Sequence, residues 1–186
     1  RYNLLHYAGH EDAEDAAGPG GWRFADGRLV ASDIAAIKGG QFPRLVFANA
    51  CASGRLSIKD ECLKAGAEHF IGTRVDLPDL GGADFANCFY QKLASGVCIG
   101  DALLSARQAL AKRGDHAWMA YELSGDPDVR YFRRRPLGQF PIGKRRAGLM
   151  VVSPPVLPSG FEEFGAAYEA WRGSVKAIVG SLGGRL

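Results

Sequence analysis

The sequence predicts an α/β domain of three layers, with a mainly parallel sheet carrying helices on both faces. Two patterns carry that prediction. Short, continuously apolar runs have the length of buried strands, and helix-period segments of ~10–15 residues lie between them. The chain's 186 residues, 47% hydrophobic and 23% charged, then set the scale: one soluble globular domain of ordinary size with a two-sided core.

Residues 2–8, 44–50, 69–75 and 117–123 read as strands. The first three are apolar throughout rather than alternating, as strands covered on both faces are. Ser32 is a candidate N-cap for a helix over 33–38. A short helix over 58–65 places Ile58, Cys62 and Ala65 on one side. Over 84–94, Phe85, Cys88, Phe89 and Leu93 fall on an amphipathic face, with Gly96 beyond as a stop. Residues 100–113 repeat the theme with Leu103, Ala106 and Leu110, ending at Gly114.

Near Arg130 the pattern changes. Arg130, Arg133, Arg134 and Arg135 precede Pro136, and Lys144, Arg145 and Arg146 follow. A Pro-rich loop over 153–158 and an amphipathic helix over 161–179 complete the chain. Residues 1–135 are therefore expected to form the domain core, and 136–186 a C-terminal extension. With few aromatics among them, the basic clusters read as a solvated linker rather than a nucleic-acid surface.

A net charge of +3 gives no argument for nucleic acid, and no apolar stretch approaches the ~20 residues of a membrane helix. The chain opens on Arg1 and runs straight into a strand, without a secretory signal. That start suggests a domain truncated at its N-terminus, with sheet strands upstream, in a cytoplasmic protein. The cysteines at 51, 62, 88 and 98 form neither a CxxC pair nor a zinc-finger cluster. No metal or other cofactor is expected, and the thiols should be free. Cys62, Cys88 and Cys98 read as small core residues. His6 reads as a satisfied core histidine, and His69 and His116 as surface or capping groups. Ser53 lacks the Gly-x-Ser-x-Gly context of a nucleophile, and Asp12, Glu14 and Asp15 read as a solvated acidic face.

Chemistry is expected at the carboxyl ends of the strands, where open α/β sheets bind ligands. The first strand runs out into Gly9-His10, and the second into Cys51-Ala52-Ser53-Gly54. If these strands are adjacent and parallel, His10 and Cys51 leave the sheet along one edge. A thiol needs a base within reach to form thiolate near neutral pH, and this arrangement supplies one.

Leu5-His6-Tyr7-Ala8-Gly9-His10 and Ala48-Asn49-Ala50-Cys51-Ala52-Ser53-Gly54 resemble motifs of the CHAT family of bacterial caspase-like cysteine peptidases. Gly72-Thr73-Arg74-Val75-Asp76-Leu77-Pro78-Asp79 looks like the family's strand ending in Trp-x-Val-x-Asp. Phe89-Tyr90-Gln91-Lys92-Leu93-Ala94-Ser95-Gly96 is similar to its Phe-Tyr-x-x-Leu-x-x-Gly helix. Asp101-Ala102-Leu103-Leu104-Ser105-Ala106-Arg107 and Leu123-Ser124-Gly125-Asp126-Pro127 also fit. The motifs are collinear over roughly residues 2–132.

The resemblance implies a caspase–haemoglobinase-like fold and an endopeptidase acting on protein or peptide substrates. Cys51 would be the nucleophile and His10 the base. Backbone N–H groups at Cys51 and around His10, from Gly9 and Glu11, would hold the oxyanion. Related peptidases commonly carry Gly directly after the histidine, where this chain has Glu11. A caspase-like binding or signalling module without turnover is therefore the alternative. In separase-like relatives, the region matching 75–79 contributes an acid that binds a basic side chain. Asp79 takes that position, with Asp76 second, and capping of a helix starting near Gly82 is the competing reading of Asp79. A regulatory helical-repeat module or another activating partner is also implied.

Overall fold

The computed structural model describes residues 3–12, 19–37, 42–50, 56–75, 79–132 and 149–152. The apolar runs form the main sheet: β1 (Leu4–Ala8), β5 (Leu45–Asn49) and β6 (His69–Thr73). β1 pairs with β5 and β5 with β6, all parallel. β7 (Tyr121–Ser124) closes one side antiparallel to β6, and β8 (Leu149–Val152) lies parallel to β1 on the other. The strand order is β7-β6-β5-β1-β8. The segment expected as an extension thus contributes an edge strand to the core sheet.

Successive side chains of a strand point to opposite faces, and the two faces carry separate cores. Leu45, Phe47 and Ile71 pack against Phe85, Phe89 and Leu93 of α3 (Asp79–Ala94) and Ala102, Ala106 and Leu110 of α4 (Ile99–Lys112). Val46, Ala48 and Phe70 face the other way, onto Ile34 of α1 (Ala31–Ala35) and Ile58 and Cys62 of α2 (Leu56–Lys64). The predicted three layers with helices on both faces are present.

Several local expectations change. A small antiparallel sheet, β2 (Glu11–Asp12), β3 (Gly21–Phe24) and β4 (Gly27–Val30), follows His10. Asp12 therefore lies in a strand, ion-paired with Arg23 and Arg28, rather than on a solvated acidic face. Ser32 falls inside α1; the carboxylate of Asp33 does the capping, accepting from the Val30 N–H at 2.9 Å. Only the second half of 117–123 is strand. Residues His116–Met119 form a 3₁₀ turn, which the Asp115 carboxylate opens by accepting from Ala117 N–H at 2.9 Å.

His69 is buried rather than exposed. Its Nε2 donates to the Asp126 carbonyl at 2.9 Å, so its Nδ1 accepts from the Tyr131 hydroxyl at 2.6 Å. His6 is the core histidine that was expected, with Nδ1 hydrogen-bonded to the Tyr90 hydroxyl at 2.7 Å, and His116 is exposed. Cys62 and Cys98 are buried free thiols, and Cys88, also free, packs against the core partly buried. Ser53, Glu14, Asp15 and the basic residues 133–135 and 144–146 lie outside the described residues.

Candidate active site

The carboxyl end of β1 is held by its own tyrosine. Tyr7, fully buried, stacks on Trp22 at 4.5 Å between ring centres. Its hydroxyl reaches the His10 carbonyl at 2.7 Å and the Arg23 carbonyl at 3.0 Å. Burial pushes the Tyr7 phenol well above its ordinary range, so it is a permanent donor. Arg23 N–H donates to the same His10 carbonyl at 3.0 Å. The backbone of His10 is thereby clamped between β1 and the hairpin, with its ring half-buried.

Gly9 has a local cause. A Cβ there would come within 2.6 Å of the Tyr7 hydroxyl, so the clamp requires glycine at this position. Gly9 N–H donates to the Asn49 carbonyl at 3.4 Å, extending the β1–β5 ladder past Ala8. Glu11 pairs with Trp22, and the bond from Arg23 N–H to His10 makes that a wide pair of the ladder. In a wide pair a residue turns its own N–H away from the partner strand. The Glu11 amide consequently faces the outer side of β2.

The carboxyl end of β5 is held from two sides. The Asn49 side-chain oxygen accepts from the Tyr121 hydroxyl at 2.6 Å. It also lies against the first turns of α3, where a Cβ on Gly82 would meet it at 2.9 Å. From β6, the buried Thr73 hydroxyl donates to the Ala50 carbonyl at 2.5 Å. Glu122 on β7 bridges Lys59 of α2 at 3.2 Å and Arg74, which follows Thr73. Burial pulls that carboxyl upward, but the hydrogen bonds from Arg74 and Lys59 outweigh it and hold it below the ordinary range.

Cys51 comes next after Ala50 in the chain and, with Asp76, lies outside the described residues. Asp79 opens α3, five residues ahead of the predicted start, so it belongs to the helix rather than capping one that begins near Gly82. The described part of the site therefore brings together the exits of β1, β5 and β6 and the N-terminal end of α3. Reading the sequence missed Tyr7, Thr73, Asn49 and Tyr121 as site-building residues. The available signal was a polar residue closing each apolar run, Asn49 on β5 and Thr73 on β6. Among the described residues no group of three His, Cys, Asp or Glu is placed to hold a metal ion. No described helix is long and apolar enough to cross a membrane.

The structure of the Arg-specific cysteine proteinase gingipain R is similar over 69% of this chain and 33% of its own, with a TM-score of 0.48 and 16% identity. The chain thus spans about a third of that structure's length. No curated protein sequence matches it. Residues 1–126 match the family model of the CHAT domain, a region running from β1 through β7: the chain belongs to the CHAT-domain family, and its mainly parallel sheet between two helical layers is the fold expected of that family.

Proposed function

We propose that this domain is a cysteine endopeptidase in which His10 and Cys51 form the catalytic dyad. One observation carries the reading. β1 and β5 are adjacent, parallel and paired Ala8 to Asn49, and His10 and Cys51 each follow two residues later. Adjacent strands lie ~4.8 Å apart, so segments that leave them in register would bring a base and a thiol within reach of each other. The N-terminal end of α3 packs against Asn49, where its partial positive charge favours a thiolate.

In the proposed reaction the Cys51 sulfur attacks the scissile carbonyl carbon. A C–S bond forms as the thiol proton passes to His10 and the π pair moves onto oxygen, and the tetrahedral adduct collapses by expelling the amine, which takes that proton from His10. Water, deprotonated by His10, then attacks the thioester and releases the carboxylic acid and the thiol. The Cys51 amide and those around His10, from Gly9 and Glu11, are assigned to hold the oxyanion, and of these Gly9 N–H also donates to the Asn49 carbonyl. Asp79, with Asp76 as second choice, is assigned to binding a basic side chain before the cut, which the position of Asp79 at the start of α3 supports. Regulation by a helical-repeat module or an activating partner, in the cytoplasm, completes the reading. A binding module without turnover is favoured only by Glu11, which occupies a regular strand position opposite Trp22.

The test is labelling with peptidyl acyloxymethyl ketones that differ only in the residue before the reactive group: Arg, Lys, Asp, Asn or Leu. Cys51 should be labelled selectively, with the signal lost in Cys51→Ala and reduced by about 10³-fold or more in His10→Ala. A preference for Arg or Lys that disappears in Asp79→Ala supports the acidic pocket, and a preference for Asp removes it. Equal labelling of all four cysteines sinks the peptidase reading.

A further inference from the structure

Thr73 is a fully buried hydroxyl at the last position of β6, and it spends its proton on one main-chain atom, the carbonyl of Ala50. That carbonyl belongs to the amide whose nitrogen is Cys51's. A peptide group is planar and almost always trans, so its C=O and N–H point in opposite directions. Fixing the oxygen therefore fixes the line along which the N–H points. A hydrogen bond on the carbonyl also polarises the amide and makes its N–H a stronger donor. A side chain on a neighbouring strand can reach that carbonyl. Thr73 can because β6 is parallel to β5 and ends beside it, with Val46 opposite Phe70 and Phe47 opposite Ile71.

We propose that Thr73 is a positioning residue for the oxyanion site: by holding the Ala50 carbonyl it aims the Cys51 N–H at the oxygen of the tetrahedral adduct. This rests on the dyad reading above, because only there does the Cys51 amide meet an oxyanion. The role is separate from making the thiolate, which falls to His10. Loss of the Thr73 hydroxyl should therefore weaken stabilisation of the adduct and leave the reactivity of the sulfur unchanged.

The experiment compares wild type, Thr73→Ser and Thr73→Ala in the full 186-residue chain. Ser keeps the hydroxyl, so the difference between the two variants isolates it from the lost methyl. Two probes are used. Tripeptide aldehydes ending in argininal, aspartal or leucinal add the Cys51 thiol across their C=O, forming a C–S bond and a hemithioacetal oxygen that occupies the oxyanion site. Iodoacetamide alkylates the thiolate, displacing iodide, and needs no oxyanion donor. Thr73→Ala should bind the preferred aldehyde about 10- to 100-fold more weakly, with alkylation of Cys51 within about twofold of wild type. Thr73→Ser should restore most of the aldehyde affinity. Equal aldehyde affinity in wild type and Thr73→Ala overturns the proposal and leaves the dyad intact. Parallel loss of alkylation in Thr73→Ala, or no rescue by Ser, assigns Thr73 to the fold and overturns it as well. A wild-type protein whose Cys51 reacts with no aldehyde and is alkylated no faster than the other cysteines removes the dyad and the proposal together.

Discussion

The two ends of the main sheet use polar side chains for opposite purposes. At the amino ends of β5 and β6, side chains hold one another and fasten the chain that follows β7. Arg44 and Glu68 form a two-pronged ion pair with contacts of 2.7 and 2.6 Å, Arg44 lies over the Tyr131 ring at 5.5 Å, and Tyr131 and the Asp126 carbonyl pin His69. Tyr131 has a single proton, and the 2.6 Å contact to His69 takes it ahead of the Arg44 carbonyl at 3.2 Å. At the carboxyl ends, the hydroxyls of Tyr7 and Thr73 hold the main-chain carbonyls of His10 and of Ala50, the residue before Cys51. One end is a fastening, and the other holds the backbone beside the proposed dyad.

The largest effect expected on stability comes from between the two ends. His6 is fully buried in β1, stacked on Phe47 at 4.9 Å, and burial lowers its pKa from 6.5 to about 3. Its neutral form is favoured in the folded state, so the stability it protects is complete above pH 6.5. Between there and about pH 3 the unfolded chain binds the extra proton, and stability falls by about 1.4 kcal/mol per pH unit. Melting curves across that range should show His6→Gln, which still offers Tyr90 a hydrogen-bond partner, flattening the slope by about one proton. An unchanged slope would remove His6 as the cause.

Next in size is a matched pair, each member removing one phenolic hydroxyl from opposite ends of the sheet. Tyr131→Phe should cost about 1–2 kcal/mol in denaturant unfolding and leave electrophile labelling of Cys51 per folded molecule unchanged. Tyr7→Phe should cost about as much and also slow that labelling about tenfold, because the His10 backbone loses its clamp. If both variants slow labelling alike, the distinction between the two ends fails.

The smallest effect belongs to the exposed ion pair. A hydrogen bond from Arg44 holds the Glu68 carboxyl below its ordinary range, so the pair contributes above that range and its contribution is lost as acid protonates Glu68. Both side chains are more than 40% exposed, and solvent screening limits the pair to a few tenths of a kcal/mol, about 0.2–0.5. Glu68→Gln should lower the melting temperature slightly at neutral pH and in low salt, and not at all at pH values where Glu68 is already protonated.

How much was legible depended on the length and continuity of each pattern. β1, β5 and β6 were found because five-residue apolar runs buried on both faces have few alternative readings. α4 was placed to within a residue at each end, because Leu103, Ala106 and Leu110 repeat at helical spacing up to a glycine stop. The hairpin was missed: its strands are four residues long and mix Gly and Arg with Trp, Phe, Leu and Val, which leaves no period to detect. His69 was misplaced because its two partners lie at Asp126 and Tyr131, far along the chain. Of the candidate site, the positions of His10 and Cys51 at strand ends could be read from the chain, whereas the hydroxyls that hold the backbone beside them could not.

By itself, the sequence determined the layered α/β class, the order of the motifs and the two residues to consider for nucleophile and base. Each of these rests on local pattern: apolar continuity, helical spacing and the residue that follows a strand. Only the tertiary structure decided that β1 and β5 are neighbours in parallel register, that β8 returns to the sheet, and that Tyr7 and Thr73 spend their hydroxyls on the carbonyls of His10 and Ala50. Those facts join residues far apart in the chain or turn on one proton's direction. They follow from which strands pack side by side, a choice made by the whole core and by no single segment.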